Sequence, residues 1–434
     1  MTISRRDFAR FLALGGSAAL FPTQAIAQGD DPLAALGLTD APLPPTPAVP
    51  DEVFWEGVRA RFLVPKDVAF LNAANICPTS LPVVEALDRN ARLFELTPSP
   101  GVREGLRARK EEARRMLAAA LRATPEEIVF TRNTSESNNL ISSGLDLGPG
   151  DEVVVWSDNH PTNLTAWQSK AQRFGYSVVV VPQVNPHPGT DYYVDAFARA
   201  ITPHTKVLAI THTSSNSGDV LPVNELCALA RQRGVLSLVD GAQALGVNDV
   251  DLSTMRPDFF TGSMHKWPCG PKEKGLLYIS AAAQDRIHPS VIGIYGGAVG
   301  ISVTMEANGQ RDDASIAALA DALDFQAGIG RPVIEARARE LAQHLMTELR
   351  KVDGVHLWTT PDPAKSSAIV VFRPGTLDPT RLTAALSQTD KIVLTARGTQ
   401  DRPGLRISTH FYNTRHDIDR TVAAIRGYLA RGVQ

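Results

Sequence analysis

Short apolar runs alternate with helix-like stretches through the middle of this 434-residue chain, and this alternation limits the folds that it can adopt. The runs are Ile128–Thr131, Glu152–Trp156, Ser177–Pro182, Lys206–Thr211 and Leu236–Asp240. Strands that alternate with helices in this way form largely parallel sheets with helices on both faces. The pattern therefore predicts an α/β fold, in which ligands bind beyond the carboxyl ends of the strands.

The pattern changes in the last third of the chain, where long helices near Ala314–Arg350 precede further strands and a closing helix from about Asp417. Those strands are expected around Ala368–Arg373, Ile392–Arg397 and Gly404–Ser408. The length also exceeds what one small core can organise. We predict a large domain over 81–315 and a smaller α+β domain over 316–434, which the segment 51–80 joins.

Composition excludes several classes of protein. The chain has 44 basic and 46 acidic side chains and no basic stripe, so a nucleic-acid partner has no electrostatic support. The spacing of Cys77, Cys227 and Cys269 shows no metal-ligand cluster, and an odd number of cysteines excludes a fully paired disulfide framework. We expect no metal and no stable membrane anchor.

The N-terminus predicts export. Arg5-Arg6 precedes an apolar run, Phe11–Phe21, that is too short to span a bilayer with ease. We interpret 1–27 as a twin-arginine signal cleaved near Ala27, with an ordinary secretory signal or a short anchor as the alternatives. The segment 28–50 is rich in proline and predicts an extended leader, so the mature protein is expected in the periplasm.

Lys266 lies in an unusual setting for a lysine, between His265 and Trp267 in the segment Gly262–Pro268. A lysine that is partly removed from water loses its proton more readily, and it can then form a Schiff base with an aldehyde. The alternative is a lysine whose stem packs on Trp267 while its ammonium group stays in water.

Two further polar features follow predicted strands. Asp240 ends an apolar run at the edge where ligands bind, although an aspartate there is also suited to a helix cap or an Asx turn. The run 131–139 is rich in hydroxyl and amide side chains and enters a helix, whose free N–H groups favour a phosphate. A well-capped helix without a ligand is the alternative.

Together these segments resemble the class V aminotransferase family of fold-type I pyridoxal 5′-phosphate (PLP) enzymes, and particularly its isopenicillin N epimerase-like branch. The resemblance is carried by motifs in a fixed order along more than three hundred residues. They are 70–74, 134–138, 160–163, 215–218, 239–246, 262–267, 309–312 and 405–408. The resemblance implies a large domain with a mainly parallel seven-stranded sheet flanked by helices, and a smaller α+β domain.

The resemblance also implies PLP as the cofactor, with Lys266 as the residue that forms the Schiff base. Asp240 would pair with the pyridine nitrogen, Gln243 would reach the phenolic oxygen, and His160 would stack on the ring. A histidine at a helix start can equally be a cap or a surface residue. The phosphate would be held by Thr134, Ser135, Ser263 and His265.

For the substrate, the resemblance implies that Asn75, Asn216 and Arg406 line the binding site, with the guanidinium of Arg406 on a carboxylate. An internal salt bridge is the competing role for Arg406. Many relatives have threonine after the equivalent of Gly309, where it reaches the phosphate of the neighbouring subunit. Here Gln310 stands at that position and can donate through its amide, and we expect a homodimer.

Several reactions remain open for such an enzyme acting on an amino acid or amino-bearing peptide. We expect aminotransfer first, epimerisation second and lyase chemistry third, with a non-catalytic binding protein as an alternative from another class. Cysteine desulfuration is disfavoured because no cysteine follows Cys269, and the usual mechanism needs a persulfide-forming cysteine in the C-terminal part.

Overall fold

A computed structural model describes residues 43–397 and 402–433, so the predicted twin-arginine signal lies outside the described residues. The helices are α1 Glu52–Arg59, α2 Leu81–Leu96, α3 Pro100–Leu121, α4 Thr134–Gly144, α5 Pro161–Phe174, α6 Thr190–Ala200, α7 Val223–Gln232, α8 Leu252–Met255, α9 Ser302–Met305, α10 Asp313–Ala317, α11 Leu319–Ile329, α12 Arg331–Leu349, α13 Pro379–Asp390 and α14 Arg415–Arg431. The strands are β1 Ala69–Phe70, β2 Ile128–Thr131, β3 Glu152–Trp156, β4 Ser177–Val181, β5 Thr205–Thr211, β6 Leu236–Asp240, β7 Phe259–Ser263, β8 Gly275–Ile279, β9 Val355–Leu357, β10 Ile369–Pro374, β11 Ile392–Val393, β12 Thr395–Arg397 and β13 Gly404–Ser408.

Seven strands form the central sheet, in the order β2-β8-β7-β6-β5-β3-β4. The strands from β3 to β7 run parallel, while β8 is antiparallel to both β7 and β2. The expected fold class, a mainly parallel seven-stranded sheet flanked by helices, is therefore confirmed.

The strands are apolar along their whole length because helices cover both faces of the sheet. On β3, Val154 and Trp156 join the core on one face, whereas Val153 and Val155 join the core on the other. Each of these side chains is fully buried, which contributes roughly 1.5–3 kcal/mol per large apolar group. This two-sided burial makes the sheet a rigid support for the loops at its carboxyl edge.

A second, four-stranded antiparallel sheet has the order β12-β13-β10-β9. The N-terminal segment adds to this side of the molecule, because β1 pairs in parallel with β11 and Asn72 bridges to Ser408. Helices α10 and α11 pack instead against α2 and α3. The domain boundaries at residues 51, 81 and 316 remain a prediction. No helix among the described residues is long and apolar enough to cross a membrane.

The second sheet docks on the loop that follows β5. Gly218 in that loop has a φ of +76°, and a Cβ there would lie 2.2 Å from the carbonyl oxygen of Ile369, so the close approach needs glycine. The hydroxyls of Thr359 and Ser367 donate to the backbone oxygens of Ser217 and Gly218. Residues of the C-terminal part are thereby held at the carboxyl edge of the central sheet.

A buried ion-pair network anchors the edge strand β2. Glu306 contacts Arg114 and Lys110 and also accepts a hydrogen bond from the backbone N–H of Phe130. Burial would raise the pKa of Glu306, but the two cations outweigh it and lower that pKa to about 2. The network fixes the strand that leads into the N-terminus of α4.

Candidate active site

A cavity of about 260 Å³ opens at the carboxyl edge of the central sheet. Nine of the twelve residues singled out in the sequence line it, and they come from the ends of different strands and from the starts of helices. The nine are Asn75, Thr134, Ser135, His160, Asp240, Gln243, Ser263, His265 and Lys266.

Lys266 lies in the turn after β7, and its half-buried side chain reaches the cavity. Burial lowers its pKa to about 8; Asp240 opposes this shift, while Arg406 adds to it. Near neutral pH a much larger fraction of this amine is therefore neutral than in an ordinary lysine. The lysine has the nucleophilic character that Schiff-base formation requires.

Asp240 ends β6 with both carboxylate oxygens oriented by donors. One oxygen accepts from the backbone N–H of Ala242 at 3.0 Å, which is the Asx-turn contact considered as its alternative role. The other accepts from Asn138 Nδ2 at 2.9 Å, and Asn138 in turn accepts from the hydroxyl of Thr261. Asp240 therefore closes the turn and also lines the cavity.

The start of α4 forms a polar cradle with the end of β7. Asn133 caps the helix by accepting from the backbone N–H of Glu136, as a well-capped helix requires. The Thr134 and Ser263 hydroxyl oxygens are 2.7 Å apart. A Cβ on Gly275 would lie 2.6 Å from the Cα of Asn133, so the strand β8 must carry glycine there for the cradle to sit against it.

His265 completes this end of the cavity. Its Nδ1 is buried without a hydrogen-bond partner. Burial lowers its pKa to about 4, and the nearby Lys266 and Lys272 add to the shift. An anionic ligand in the cradle would supply the missing partner and favour the protonated ring.

His160 both caps α5 and lines the cavity. Its Nδ1 contacts the hydroxyl of Thr162 at 3.0 Å and accepts from the backbone N–H of the same residue. Burial lowers the pKa of His160, and although Asp240 opposes the shift, Lys266 adds to it. The ring that lines the cavity is therefore mainly neutral near neutral pH.

Gln243 is oriented by two fixed neighbours. The indole N–H of Trp267 can only donate, so its contact at 2.8 Å identifies the Gln243 atom as the amide oxygen. The amide nitrogen donates one hydrogen to the carbonyl oxygen of Ala74. The second hydrogen remains available to a ligand in the cavity.

The structure leaves Asn216, Gln310 and Arg406 outside the cavity lining. Asn216 donates to Asp158, and the exposed Gln310 accepts from Arg103. Arg406 on β13 is buried behind the cavity, where its guanidinium donates to the Ser215 carbonyl oxygen at 3.2 Å.

Arg406 has unused binding capacity. It makes no ion pair among the described residues, so the internal salt bridge considered for it is not found there, and its Nε is buried without a partner. Burial lowers the pKa of Arg406 to about 9, and Arg397 adds to the shift. An incoming carboxylate would give Nε a partner and would favour the charged form of the guanidinium.

Sequence reasoning missed Thr211 and Thr213, which line the cavity, and around it Asn138, Arg397 and Trp267 as a hydrogen-bond donor. Arg397 approaches the hydroxyl of Ser215 at 3.4 Å, and burial lowers its pKa. It ends a predicted strand, so the rule that ligands bind past strand ends could have found it. Asn138 belongs to the motif 134–138, but nothing in the neighbouring sequence indicated its contact with Asp240.

Comparisons with known proteins agree with this geometry. The family model of class V aminotransferases matches residues 101–421. An isopenicillin N epimerase of Amycolatopsis lactamdurans is 31% identical over 392 residues, which cover 86% of this chain and 98% of the relative. A probable cysteine desulfurase of Methanothermobacter thermautotrophicus is 29% identical over 84% of this chain and 95% of the relative.

Solved structures show the same fold. A cysteine desulfurase of Escherichia coli superimposes with a TM-score of 0.77 at 25% identity, covering 89% of this chain and all of that one. C-DES, solved with glycine covalently linked to its PLP cofactor, superimposes with a TM-score of 0.78 at 23% identity. The residues present in the cavity fit PLP: a cradle with an unpartnered His265 nitrogen for the phosphate, a buried carboxylate and a lysine of lowered pKa. This chain belongs to the class V aminotransferase family of PLP-dependent enzymes.

Proposed function

We propose that this protein is an exported PLP-dependent enzyme that acts on the amino group and Cα of an amino acid or an amino-acid-like substrate, including a peptide. The observation that carries the proposal is that Lys266, with a pKa of about 8, shares one cavity with Asp240 and the cradle at α4. A lysine, a carboxylate and a phosphate cradle in one cavity are the three groups that PLP chemistry requires.

Each residue has a distinct task in this proposal. Bound PLP supplies an electron sink for bond cleavage at the substrate Cα. Thr134, Ser263 and the helix N-terminus would hold the phosphate, and Asp240 would keep the pyridine nitrogen protonated. Lys266 would hold the cofactor covalently through its Nζ, and the same amine would accept the Cα proton of the substrate.

The substrate carboxylate would be bound by Arg406. Its guanidinium donates to the Ser215 carbonyl oxygen and to Asn72 Oδ1, so these contacts hold it in place while its Nε stays unpartnered. The fork geometry of arginine matches a carboxylate with two parallel hydrogen bonds. Arg397 beside it adds a second positive charge.

We rank aminotransfer first among the reactions and epimerisation second. The similarity to isopenicillin N epimerase extends over 98% of that relative, which favours epimerisation as the second candidate. Lyase chemistry ranks third. Desulfuration by a thiol nucleophile is disfavoured because all three cysteines are buried and none lines the cavity.

One experiment separates these candidates. The purified protein is incubated with a panel of amino acids and amino-bearing peptides in deuterium oxide, while absorbance, product mass and chirality are followed. An oxo acid indicates aminotransfer, deuterated substrate of inverted chirality indicates epimerisation, and loss of a side-chain group indicates a lyase. The Lys266→Ala variant is the matched control and should give none of these products.

The outcome that contradicts the proposal is also defined. Protein that binds PLP but shows neither a spectral change nor a product with any member of the panel would be a non-catalytic binding protein. If borohydride reduction attaches the cofactor to a lysine other than Lys266, the assignment of the site is wrong.

A further inference from the structure

Two cysteines and a histidine meet behind the turn that carries Lys266. One ligand atom from each of Cys77, Cys269 and His410 lies within 4.8 Å of the other two. All three residues are at most 1% exposed, and none lines the cofactor cavity. The spacing along the sequence showed no such cluster, because the three residues belong to distant segments that converge only in the fold.

The hydrogen bonds of His410 determine which ring nitrogen is free. Nε2 lies 2.7 Å from the backbone oxygen of Trp267, which also accepts from Gln326 Nε2. A carbonyl oxygen cannot donate, so the His410 proton is on Nε2 and Nδ1 keeps a bare lone pair. That Nδ1 is buried with no hydrogen-bond partner.

A histidine arranged in this way is prepared to bind a metal ion. Metal-ligating histidines usually donate their other ring N–H to a carboxylate or a backbone carbonyl, which fixes the tautomer and the ring orientation. Here the carbonyl of Trp267 does so, and Cys269 Sγ lies 3.7 Å from the same oxygen. A buried lone pair without a partner is costly, and a cation would remove that cost.

The two thiols are also suited to binding a metal ion. Both sulfurs are buried as free thiols, and a thiolate there needs a positive charge in direct contact with it. A metal ion would provide that charge and release the thiol protons. A disulfide would join the two sulfurs but leave His410 Nδ1 without a partner.

We propose that Cys77, Cys269 and His410 bind one thiophilic d¹⁰ cation, Zn²⁺ or Cu⁺, at a structural site separate from the cofactor cavity. Thiolate sulfur and imidazole nitrogen are the ligands that these ions prefer. Zn²⁺ binding would release two protons, one from each thiol, and form two Zn–S bonds and one Zn–N bond. The hydroxyl of Tyr412, 3.7 Å from Cys77 Sγ, can complete a tetrahedron for Zn²⁺.

Metal binding requires only a small contraction. Bonds of about 2.0–2.3 Å place tetrahedral ligand atoms roughly 3.4–3.8 Å apart, so atoms now within 4.8 Å of one another would draw together by at most about 1.4 Å. The bound ion would link the segment before α2 to the turn after Lys266 and to the loop after β13. The backbone N–H groups of Cys77 and Cys269 donate to the carbonyl oxygens of His265 and Lys266, but none of the three ligand side chains lines the cavity, which agrees with a structural and not a catalytic role.

The test measures metal content in the mature, PLP-loaded protein, purified without a histidine tag. We expect about one equivalent of zinc or copper per chain, and either metal supports the site. Cys77→Ser and Cys269→Ser should lose it, whereas Cys227→Ser, which changes the third buried cysteine far from the cluster, should retain it. If the cluster variants do not fold, Co²⁺ titration of chelator-treated wild type provides the same information, since two thiolate ligands give an intense sulfur-to-metal absorption band.

Three results would overturn the proposal. The first is protein that holds no metal as purified and takes up none from Zn²⁺ or Cu⁺ under reducing conditions. The second is a Cys77–Cys269 disulfide found by mass spectrometry in the metal-free native protein. The third is equal loss of metal in Cys227→Ser.

Discussion

Burial of a single amine has a measurable consequence at Lys266. Because its pKa is about 8 and not the ordinary 10.5, the neutral form predominates above pH 8. The rate at which apoprotein captures PLP should therefore rise about tenfold per pH unit below 8 and level off above it. Stopped-flow absorbance measures this rate, and Lys266→Ala should show no covalent capture. A rate that keeps rising to pH 10 would mean that the lysine is solvated.

The carboxylate of Asp240 can be tested against a matched aspartate at the opposite end of the same strands. Asp240→Ala should lower kcat by about 3 kcal/mol of transition-state stabilisation, on the order of a hundredfold, while most of the PLP content is kept. Asp258 accepts from the backbone N–H of Ser237, at the amino end of β6, so Asp258→Asn should leave kcat unchanged. Near-normal turnover in Asp240→Ala would assign that residue a purely structural turn role.

The N-terminus of α4 and the end of β7 form the phosphate cradle together, because the helix offers backbone N–H groups and the strand offers a hydroxyl at the same place. Thr134→Val and Ser263→Ala each remove a hydroxyl from the cradle without changing the helix. Hydrogen bonds to a charged phosphate contribute about 1.5–3 kcal/mol, so each variant should weaken PLP binding at least tenfold. Equilibrium titration of apoprotein measures this. The exposed Asn139→Ala on the same helix is the control, and an equal loss there would contradict a local phosphate site.

Across the whole molecule, an exposed apolar segment predicts self-association. Ile292 and Ile294 are 92% and 86% exposed, and Val291, Tyr295 and Val303 are exposed beside them. Apolar side chains gathered in this way mark an interaction surface, which we assign to a second copy of the chain. Light scattering should show a dimer, and the double variant Ile292→Glu, Ile294→Glu should weaken it. Val53→Glu, at another exposed apolar position, should not, and a wild-type monomer would refute the assignment.

Export should depend on folding, because residues from Asn75 to Lys266 must come together before the cofactor cavity exists. The twin-arginine route carries folded proteins, so the cofactor can be bound in the cytoplasm before export. Changing Arg5 and Arg6 to lysine should trap a PLP-loaded precursor inside the cell. Cell fractionation decides this, and unchanged periplasmic delivery of the variant would show that another signal directs export.

The fold class and several strand limits followed from local pattern alone. Glu152–Trp156, Leu236–Asp240 and Gly404–Ser408 form strands with the predicted bounds, because each is a short apolar run that burial makes extended. In the central sheet the strands β7 and β8 were not predicted, and the antiparallel place of β8 between β7 and β2 depends on sheet order. The predicted strand Ile392–Arg397 is divided at Leu394, where one part pairs with β1 and the other with β13.

The sequence by itself placed Asp240 at the end of a strand, and it singled out Lys266 from its desolvating neighbours and from the order of the motifs. Only the tertiary structure decided their partners: Asn138 on Asp240, Trp267 on Gln243, and the removal of Arg406 from the cavity wall. It also brought Cys77 to Cys269 and His410, which no spacing revealed. The physical reason is that periodicity records which face of an element is buried, whereas these contacts depend on how distant elements pack.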